Sequence, residues 1–339
     1  MKCITSREEK EASRQSKEAY LKDIEKLIED REKYLEDSRA KFAEKIFRDQ
    51  EQYREAFKKM LGWPLTEKKD PVLPNAVLTK VAEEELCTIY RVSIEILEGF
   101  SMTGLLFQKD NEKKPLVIAQ HGGLGTPEVV ANLYGTTTNY NHMIERLLQY
   151  EVNVFAPQLL IWDNREGGYD VPFDRGALDA RLKRLGSSIT ALEIYGLMRI
   201  LDYFEKQDYV SNFGMVGLSY GGFYTLFAAA VDTRIRSAIS CSFFSSRKHY
   251  AWADWTWFRA AETFSDAEIA CLVYPRKLCI EVGEEDDLFD IKWAEEEIER
   301  LKNMSEKMAD DWLNIIRFKG AHEFCWDDEP LKKLTEDIC

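Results

Sequence analysis

The sequence is short of the features that mark membrane proteins and nucleic-acid-binding proteins. No apolar run is long enough to span a membrane, and the polar, charged start lacks the apolar segment of a secretory signal. Basic residues are outnumbered, with 46 Lys and Arg against 60 Asp and Glu, and the net charge of −14 argues against a nucleic-acid partner. We therefore expect a cytoplasmic protein that binds neither membranes nor nucleic acids.

Cysteine is also sparse. The seven cysteines stand at positions 3, 87, 241, 271, 279, 325 and 339. Their number is odd, their spacing is not that of metal ligands, and Cys241 and Cys279 fall inside predicted strands. The sequence therefore predicts reduced, mostly buried thiols and no metal site.

The sequence has the composition of a folded protein, since 45% of its residues are hydrophobic. Its length of 339 residues suffices for one large α/β domain and an extension. The pattern of the chain changes near residue 76. We predict a helical extension over residues 1–75 and a single α/β domain over residues 76–339.

The extension begins with some 60 densely charged residues that contain neither glycine nor proline. Their apolar side chains recur at helical spacing in a narrow stripe, and the segment 61–64, Leu-Gly-Trp-Pro, is expected to end the helix. We favour a helix lying across the body of the protein. The alternatives are a dimerisation helix, which would make the protein a homo-oligomer, and a wall of the substrate pocket.

Strands and helices alternate in the second region. Residues 88–96 and 100–107 are predicted to form an antiparallel hairpin, and the apolar run 115–120 is predicted to be a strand covered on both faces. Alternation continues to residue 318, which is typical of a doubly wound, mostly parallel sheet whose reactive loops gather at the carboxyl ends of the strands.

The most informative stretch is Gly217-Leu-Ser219-Tyr-Gly221-Gly, which lies between a short apolar strand and a helix rich in small residues. A serine on such a strand-to-helix turn is held in a strained conformation with its hydroxyl exposed, and the flanking glycines avoid collisions that a Cβ would cause. Ser219 is therefore the predicted nucleophile.

A second loop, His121-Gly-Gly123-Leu124-Gly125, follows the strand 115–120. Backbone N–H groups in such a loop can face the negative oxygen of a tetrahedral intermediate, together with the N–H of the residue after the nucleophile. We predict an oxyanion hole made by Gly123 and Tyr220, with Leu124 as the alternative to Gly123.

The general base can be sought by elimination because there are only four histidines. Three fall in the glycine loop, a predicted helix and an aromatic stretch: His121, His142 and His249. His322 alone follows the last predicted strand, after an acidic turn that contains Asp286 and Asp287. The order Ser219, Asp286, His322 then gives a nucleophile, an orienting acid and a base, with Asp287 as the second choice for the acid.

Three further segments have open interpretations. Glu193 lies on the apolar stripe of a predicted helix, where a structural hydrogen-bonding role is favoured over a catalytic one. The polar stretch 162–184 is predicted to be a long loop at the site. The aromatic stretch 243–264 is either a pocket wall or lid, or packing for an inserted helical segment.

These motifs resemble those of the α/β-hydrolase superfamily, from about Val77 onward, and most closely its branch of dienelactone-hydrolase-like and acetyl-xylan-esterase-like proteins. The resemblance implies hydrolysis of a small-molecule carboxylic ester without a cofactor. Dienelactone hydrolases carry a cysteine where this sequence has Ser219, so their own reaction is not implied. A peptidase similar to prolyl oligopeptidase and a non-catalytic binding protein with this fold are the alternatives.

Overall fold

A computed structural model of the chain describes residues 10–68, 70–133, 139–162, 171–250, 252–309 and 311–339. The strands in these residues form one sheet with the order β1-β2-β3-β5-β4-β6-β7-β8-β9. Their bounds are β1 Ala76–Glu83, β2 Thr88–Leu97, β3 Phe100–Gln108, β4 Lys114–Gln120, β5 Asn153–Pro157, β6 Val210–Leu218, β7 Ile235–Cys241, β8 Lys277–Gly283 and β9 Leu313–Phe318.

The sheet has an antiparallel part and a parallel part. Strands β1, β2 and β3 form an antiparallel meander, and β3 pairs antiparallel with β5. From β5 to β9 every neighbouring pair is parallel, and β4 and β5 are buried along their whole length. The predicted hairpin and the mostly parallel sheet are thus confirmed, and the carboxyl ends of six strands meet at one edge.

Helices cover both faces of this sheet. Their bounds are α1 Lys10–Ala43, α2 Gln50–Leu61, α3 Pro127–Val130, α4 Met143–Leu147, α5 Arg175–Lys183, α6 Ile189–Phe204, α7 Tyr220–Val231, α8 Asp266–Cys271, α9 Ile291–Ser305 and α10 Glu329–Ile338. None of the helices described has the length and apolar character needed to cross a membrane.

Two apolar cores result, one on each face, because successive side chains of a strand point in opposite directions. On β6, Met215 belongs to the core that also contains buried side chains of α2, α6, α7, α8 and α9. Its neighbour Val216 belongs to the core formed with α3, α4 and α10. The strand that carries the predicted nucleophile is therefore fixed from both sides.

The N-terminal segment consists of two helices rather than the single one that the sequence predicts. Residues 44–49 form a turn between α1 and α2, and this turn places the Ile46 side chain in the core, where it is 1% exposed. Burying Ile46 and the adjacent Phe47, which packs against Tyr274 and Trp312, accounts for the break. The predicted end of the helical segment at residues 61–64 is confirmed, since α2 ends at Leu61.

The predicted loop over residues 162–184 is wrong in its second half. Helix α5 occupies Arg175–Lys183, and the Asp174 side chain accepts a hydrogen bond from Ala177 N at its start, 2.9 Å away. Residues 163–170 lie outside the described part of the chain. The aromatic stretch 243–264 contains three short 3₁₀ turns, at residues 247–249, 253–255 and 260–262.

Candidate active site

Ser219 sits between the last residue of β6 and the first residue of α7, with φ 60° and ψ −121°. Holding a non-glycine residue at positive φ costs on the order of 1–3 kcal/mol, so the surroundings must enforce it. Two backbone hydrogen bonds do so: Ser219 N donates to Cys241 O, and Phe223 N donates to Ser219 O, each at 2.9 Å.

The flanking glycines allow close packing of this turn. A Cβ on Gly217 would lie 2.8 Å from Gly221 Cα, and a Cβ on Gly221 would lie 2.7 Å from the carbonyl carbon of Gln120. Both separations are shorter than real Cβ contacts, so only glycine fits at either position. The turn therefore has the geometry that the sequence motif predicts.

The glycine loop after β4 lies against the nucleophile. A Cβ on Gly122 would be 3.2 Å from Ser219 Cβ, and the Gly122 N–H donates to Tyr140 Oη at 2.7 Å. Among the described residues, neither Gly123 N–H nor Tyr220 N–H donates a hydrogen bond. These two donors are available for a ligand oxygen, as the predicted oxyanion hole requires.

The His121 ring is hydrogen-bonded to the backbone on both sides. Its side chain is fully buried, its Nε2 accepts a hydrogen bond from Leu159 N at 2.9 Å, and its Nδ1 lies 2.9 Å from Gly122 O. The acceptor role of Nε2 assigns the proton to Nδ1. His121 therefore links the glycine loop to the chain that follows β5.

His322 and Asp286 meet at the carboxyl edge of the sheet. His322 Nδ1 lies 2.9 Å from Asp286 Oδ2, and the other carboxylate oxygen accepts from Leu288 N and Phe289 N, each at 2.9 Å. The Asp286 side chain is almost fully buried. Asp287, the second choice for the acid, is exposed.

The turn of Ser219 and the loop of His322 are both hydrogen-bonded to the end of β7. Cys241 O accepts from Ser219 N, and the next residue, Ser242, donates through Oγ to Glu323 O at 3.1 Å. Within the described residues, no hydrogen bond joins Ser219 Oγ to His322. In sites without a bound substrate this catalytic bond is often long or poorly aligned.

An aromatic wall runs from the glycine loop to His322. The Trp162 indole covers Gly123, where a Cβ would lie 2.7 Å from its Cζ3, and its ring lies 5.2 Å from that of Tyr220. The rings of the wall are those of Trp162, Tyr220, Trp252, Trp255 and Phe289. Phe289 ends it, 5.6 Å from the His322 ring. Of the two interpretations of residues 243–264, this arrangement favours a wall of the site.

Behind the wall lies a buried ionic network that sequence reasoning missed. Tyr220 Oη donates to Asp254 Oδ2 at 2.5 Å, and Asp254 Oδ1 lies 3.1 Å from Arg175 Nε. Arg175 Nη1 is 3.7 Å from Glu193 Oε2, and Glu193 Oε1 accepts from Leu160 N at 2.5 Å. Burial raises the pKa of Glu193. Glu193 therefore has the structural role that the sequence favours, while Arg175 and Asp254 carry no local sequence signal.

The described cysteines are unpaired, and all but Cys339 are buried. Burial raises the pKa of Cys87 and Cys325 to about 11 and raises the pKa of Cys241, Cys271 and Cys279. Thiols of this kind are unreactive near neutral pH. In the part of the chain that the structure describes, no three His, Cys, Asp or Glu side chains are grouped as metal ligands.

No protein-family model and no curated protein sequence matches the chain. Solved structures do. A glucuronoyl esterase from Solibacter usitatus has a TM-score of 0.62 and 15% identity over 86% of this chain and 92% of its own. Acetyl xylan esterase 1 from Thermoanaerobacterium sp. has a TM-score of 0.55 and 14% identity, covering 86% and 93%. A promiscuous esterase from a marine bacterial metagenome has a TM-score of 0.57 and 14% identity, covering 87% and 92%. Together with the strand order and the Ser219 turn, these likenesses show that the chain has the α/β-hydrolase fold.

Proposed function

We propose that this chain is a serine esterase that cleaves carboxylic esters of short acyl groups, such as acetyl, through an acyl-enzyme on Ser219. One observation carries the proposal: the serine at positive φ lies at the same sheet edge as the hydrogen-bonded His322–Asp286 pair. A strained serine next to an oriented imidazole is the arrangement that makes a hydroxyl nucleophilic.

In this mechanism Ser219 Oγ attacks the ester carbonyl carbon while His322 Nε2 takes the hydroxyl proton. Asp286 holds the Nδ1–H tautomer and stabilises the imidazolium. When the C–O bond to the alcohol breaks, His322 returns the proton to the leaving oxygen. A water molecule, deprotonated by the same imidazole, then attacks the acyl-enzyme. As the acyl–Oγ bond breaks, the imidazolium returns the proton to Ser219 Oγ, which releases the acid and restores the enzyme.

The negative oxygen of each tetrahedral intermediate is stabilised by Gly123 N–H and Tyr220 N–H. Both donors are free of other described acceptors, and Tyr220 is the first residue of α7, so the helix N-terminus adds a favourable dipole. Removing one oxyanion donor in other serine hydrolases costs about 10²–10³ in kcat, which is the scale expected here.

The preference for a short acyl group rests on the aromatic wall. Trp162 lies over Gly123 and beside Tyr220, the residues that supply the two donors, and so limits the space next to the reacting carbonyl. The solved structures described as glucuronoyl and acetyl xylan esterases make carbohydrate esters the substrate class to test first.

Fluorophosphonate labelling of the purified chain, read by intact mass and peptide mapping, tests the proposal. We expect one label, on Ser219, with hydrolysis of acetyl esters in preference to butyryl and octanoyl esters. Ser219→Ala should abolish both, while Ser211→Ala, at the exposed opposite end of β6, should change neither.

Other outcomes would contradict the proposal in distinct ways. Activity that survives Ser219→Ala would rule out this nucleophile. Cleavage of aminoacyl-proline reporters without ester hydrolysis would indicate a peptidase similar to prolyl oligopeptidase. The absence of both label and turnover would indicate a binding protein that retains the hydrolase fold.

A further inference from the structure

The first 21 described residues of α1, residues 10–30, form a projecting segment that we call the N-terminal arm. The ion pairs and hydrogen bonds between α1 and the body begin only after the arm, with Arg31 and Glu262 (3.6 Å) and with Arg39 and Ala261 O (2.8 Å). All residues from 13 to 31 except Ile24 are exposed. At 1.5 Å per residue the arm extends about 30 Å from the body.

One face of this helix carries an apolar stripe that nothing in the described structure covers. Tyr20, Leu27 and Tyr34 recur every seven residues and are 67%, 68% and 63% exposed. Leu21 and Ile28 follow the same interval at 54% and 51% exposure. Most helical stability in proteins comes from packing such a face, so the arm lacks the contact that would stabilise it. A contiguous exposed apolar stripe marks an interaction surface.

The charges of α1 indicate which partner covers this stripe. Residues 10–22 carry four basic and two acidic side chains, whereas residues 23–37 carry three basic and seven acidic ones. At helical spacing, the charged residues that flank the stripe in the first half are basic, and in the second half they are mainly acidic. The flanking residues are Lys10, Arg14 and Lys17 in the first half and Asp23, Glu25, Asp30, Arg31 and Glu32 in the second.

A second copy of this chain fits that pattern if it runs in the opposite direction. An antiparallel pair sets the basic half of one arm against the acidic half of the other, while a parallel pair sets like charges together. With Ile24 of one copy level with Leu27 of the second, Leu21 lies within about 3 Å, along the helix axis, of Ile28 of the second copy. In the same register Tyr20 lies opposite Arg31, where a cation–π contact can form.

We propose that this protein is a homodimer held by antiparallel packing of the two N-terminal arms about a twofold axis between Ile24 and Leu27. The contact is isologous, so both stripes are covered at once and no apolar edge is left to recruit a third copy. The two candidate active sites lie in the bodies, outside this contact.

Sedimentation velocity of the full-length chain tests the dimer. We expect twice the monomer mass for the unaltered protein and the monomer mass for the double variant Leu27→Glu, Ile28→Glu. The double variant Lys22→Gln, Lys33→Gln makes the same change in net charge on the opposite face of the helix and should remain dimeric. Near-ultraviolet circular dichroism should be equal in all three, which shows that the bodies are folded whether or not the proposed function is correct. Hydrolysis of p-nitrophenyl acetate per chain should also be equal.

Cysteine cross-linking tests the direction of packing. In a background with Cys3 and Cys339 replaced by serine, Ile24→Cys lies near the axis and should form a disulfide-linked dimer. Ser13→Cys should not, because the two copies of residue 13 lie about 40 Å apart in the antiparallel pair. A monomeric unaltered protein, a dimer that survives Leu27→Glu with Ile28→Glu, or cross-linking through position 13 would each overturn the proposal.

Discussion

The Asp286 carboxylate holds His322 through one oxygen and its own loop through the other. Oδ2 lies 2.9 Å from His322 Nδ1, while Oδ1 accepts the N–H groups of Leu288 and Phe289. A carboxylate fixed in this way has no freedom to swing away from the imidazole. It therefore leaves Nε2 as the nitrogen of His322 that is available to the proposed nucleophile, Ser219.

Asp286→Asn should leave the fold intact and lower kcat for acetyl esters by about 10³–10⁴, because an amide favours the wrong imidazole tautomer. Asp287→Asn is the matched control and should stay within about twofold of the unaltered protein, since its side chain is exposed. Steady-state kinetics with far-ultraviolet circular dichroism checks both. Equal losses in the two variants would contradict the assignment of the acid.

Tyr220→Phe removes the hydrogen bond to Asp254 while keeping the aromatic ring in the wall. Asp254 would then keep Arg175 as its ion-pair partner but lose a buried donor, which should lower the free energy of unfolding by about 1–3 kcal/mol. Because the Tyr220 backbone is proposed to donate to the oxyanion, we expect kcat to fall about tenfold with little change in KM. A loss of stability with unchanged kcat would restrict this network to a structural role.

Trp162→Ala should widen the space beside Gly123, which the indole now covers. We expect the ratio of kcat/KM for octanoyl and acetyl esters to rise at least tenfold, since each buried CH₂ contributes about 0.8 kcal/mol once there is room for it. The control is Trp326→Ala, because Trp326 is 60% exposed and packs near His142. An unchanged ratio would show that another part of the wall limits acyl length.

Glu281 should make stability depend on pH. Burial raises the pKa of this β8 carboxyl to about 7, and its Oε2 has no hydrogen-bond partner among the described residues. Between about pH 4.5 and pH 7 the folded state therefore binds more protons than the unfolded chain, so stability falls as pH rises, by about 3 kcal/mol in total. Urea denaturation at pH 5 and pH 8 measures this loss.

Glu281→Gln should remove that part of the pH dependence and make the chain more stable than the unaltered protein at pH 8. Glu284→Gln provides the control, since Glu284 is exposed. If the free energy of unfolding depended on pH equally in the two variants, the pH dependence would come from groups other than Glu281.

The parts of the site that the sequence could predict are those in which local geometry dictates residue type. Positive φ at Ser219 and the close approach at Gly221 depend on a few neighbouring residues, so they leave a readable motif. His322 could be inferred from its order after the strands, because parallel topology brings strand ends to one edge. Its contact with Asp286 follows from the same rule.

What the sequence could not predict depends on contacts between distant segments. Arg175, Asp254 and Trp162 have no motif, because each acquires its role only by meeting a residue 34 to 79 positions away. Helix α5 lies in a polar stretch and buries few of its side chains, so the sequence carries no apolar pattern that predicts it. The break between α1 and α2 places Ile46 in the core, which depends on distant residues. Tertiary packing decided these features, not local propensity.

Helix α10 closes one face of the strand that leads to Ser219. Its Leu334 and Ile338 lie on Gly214 of β6, the strand that ends at Ser219, and Asn212 Nδ2 donates to Ile338 O at 2.7 Å. A chain cleaved between β9 and α10 would lose the apolar cover that Leu334 and Ile338 give to this face of β6. Such a chain would expose apolar surface that favours aggregation and would hold the turn at Ser219 less firmly.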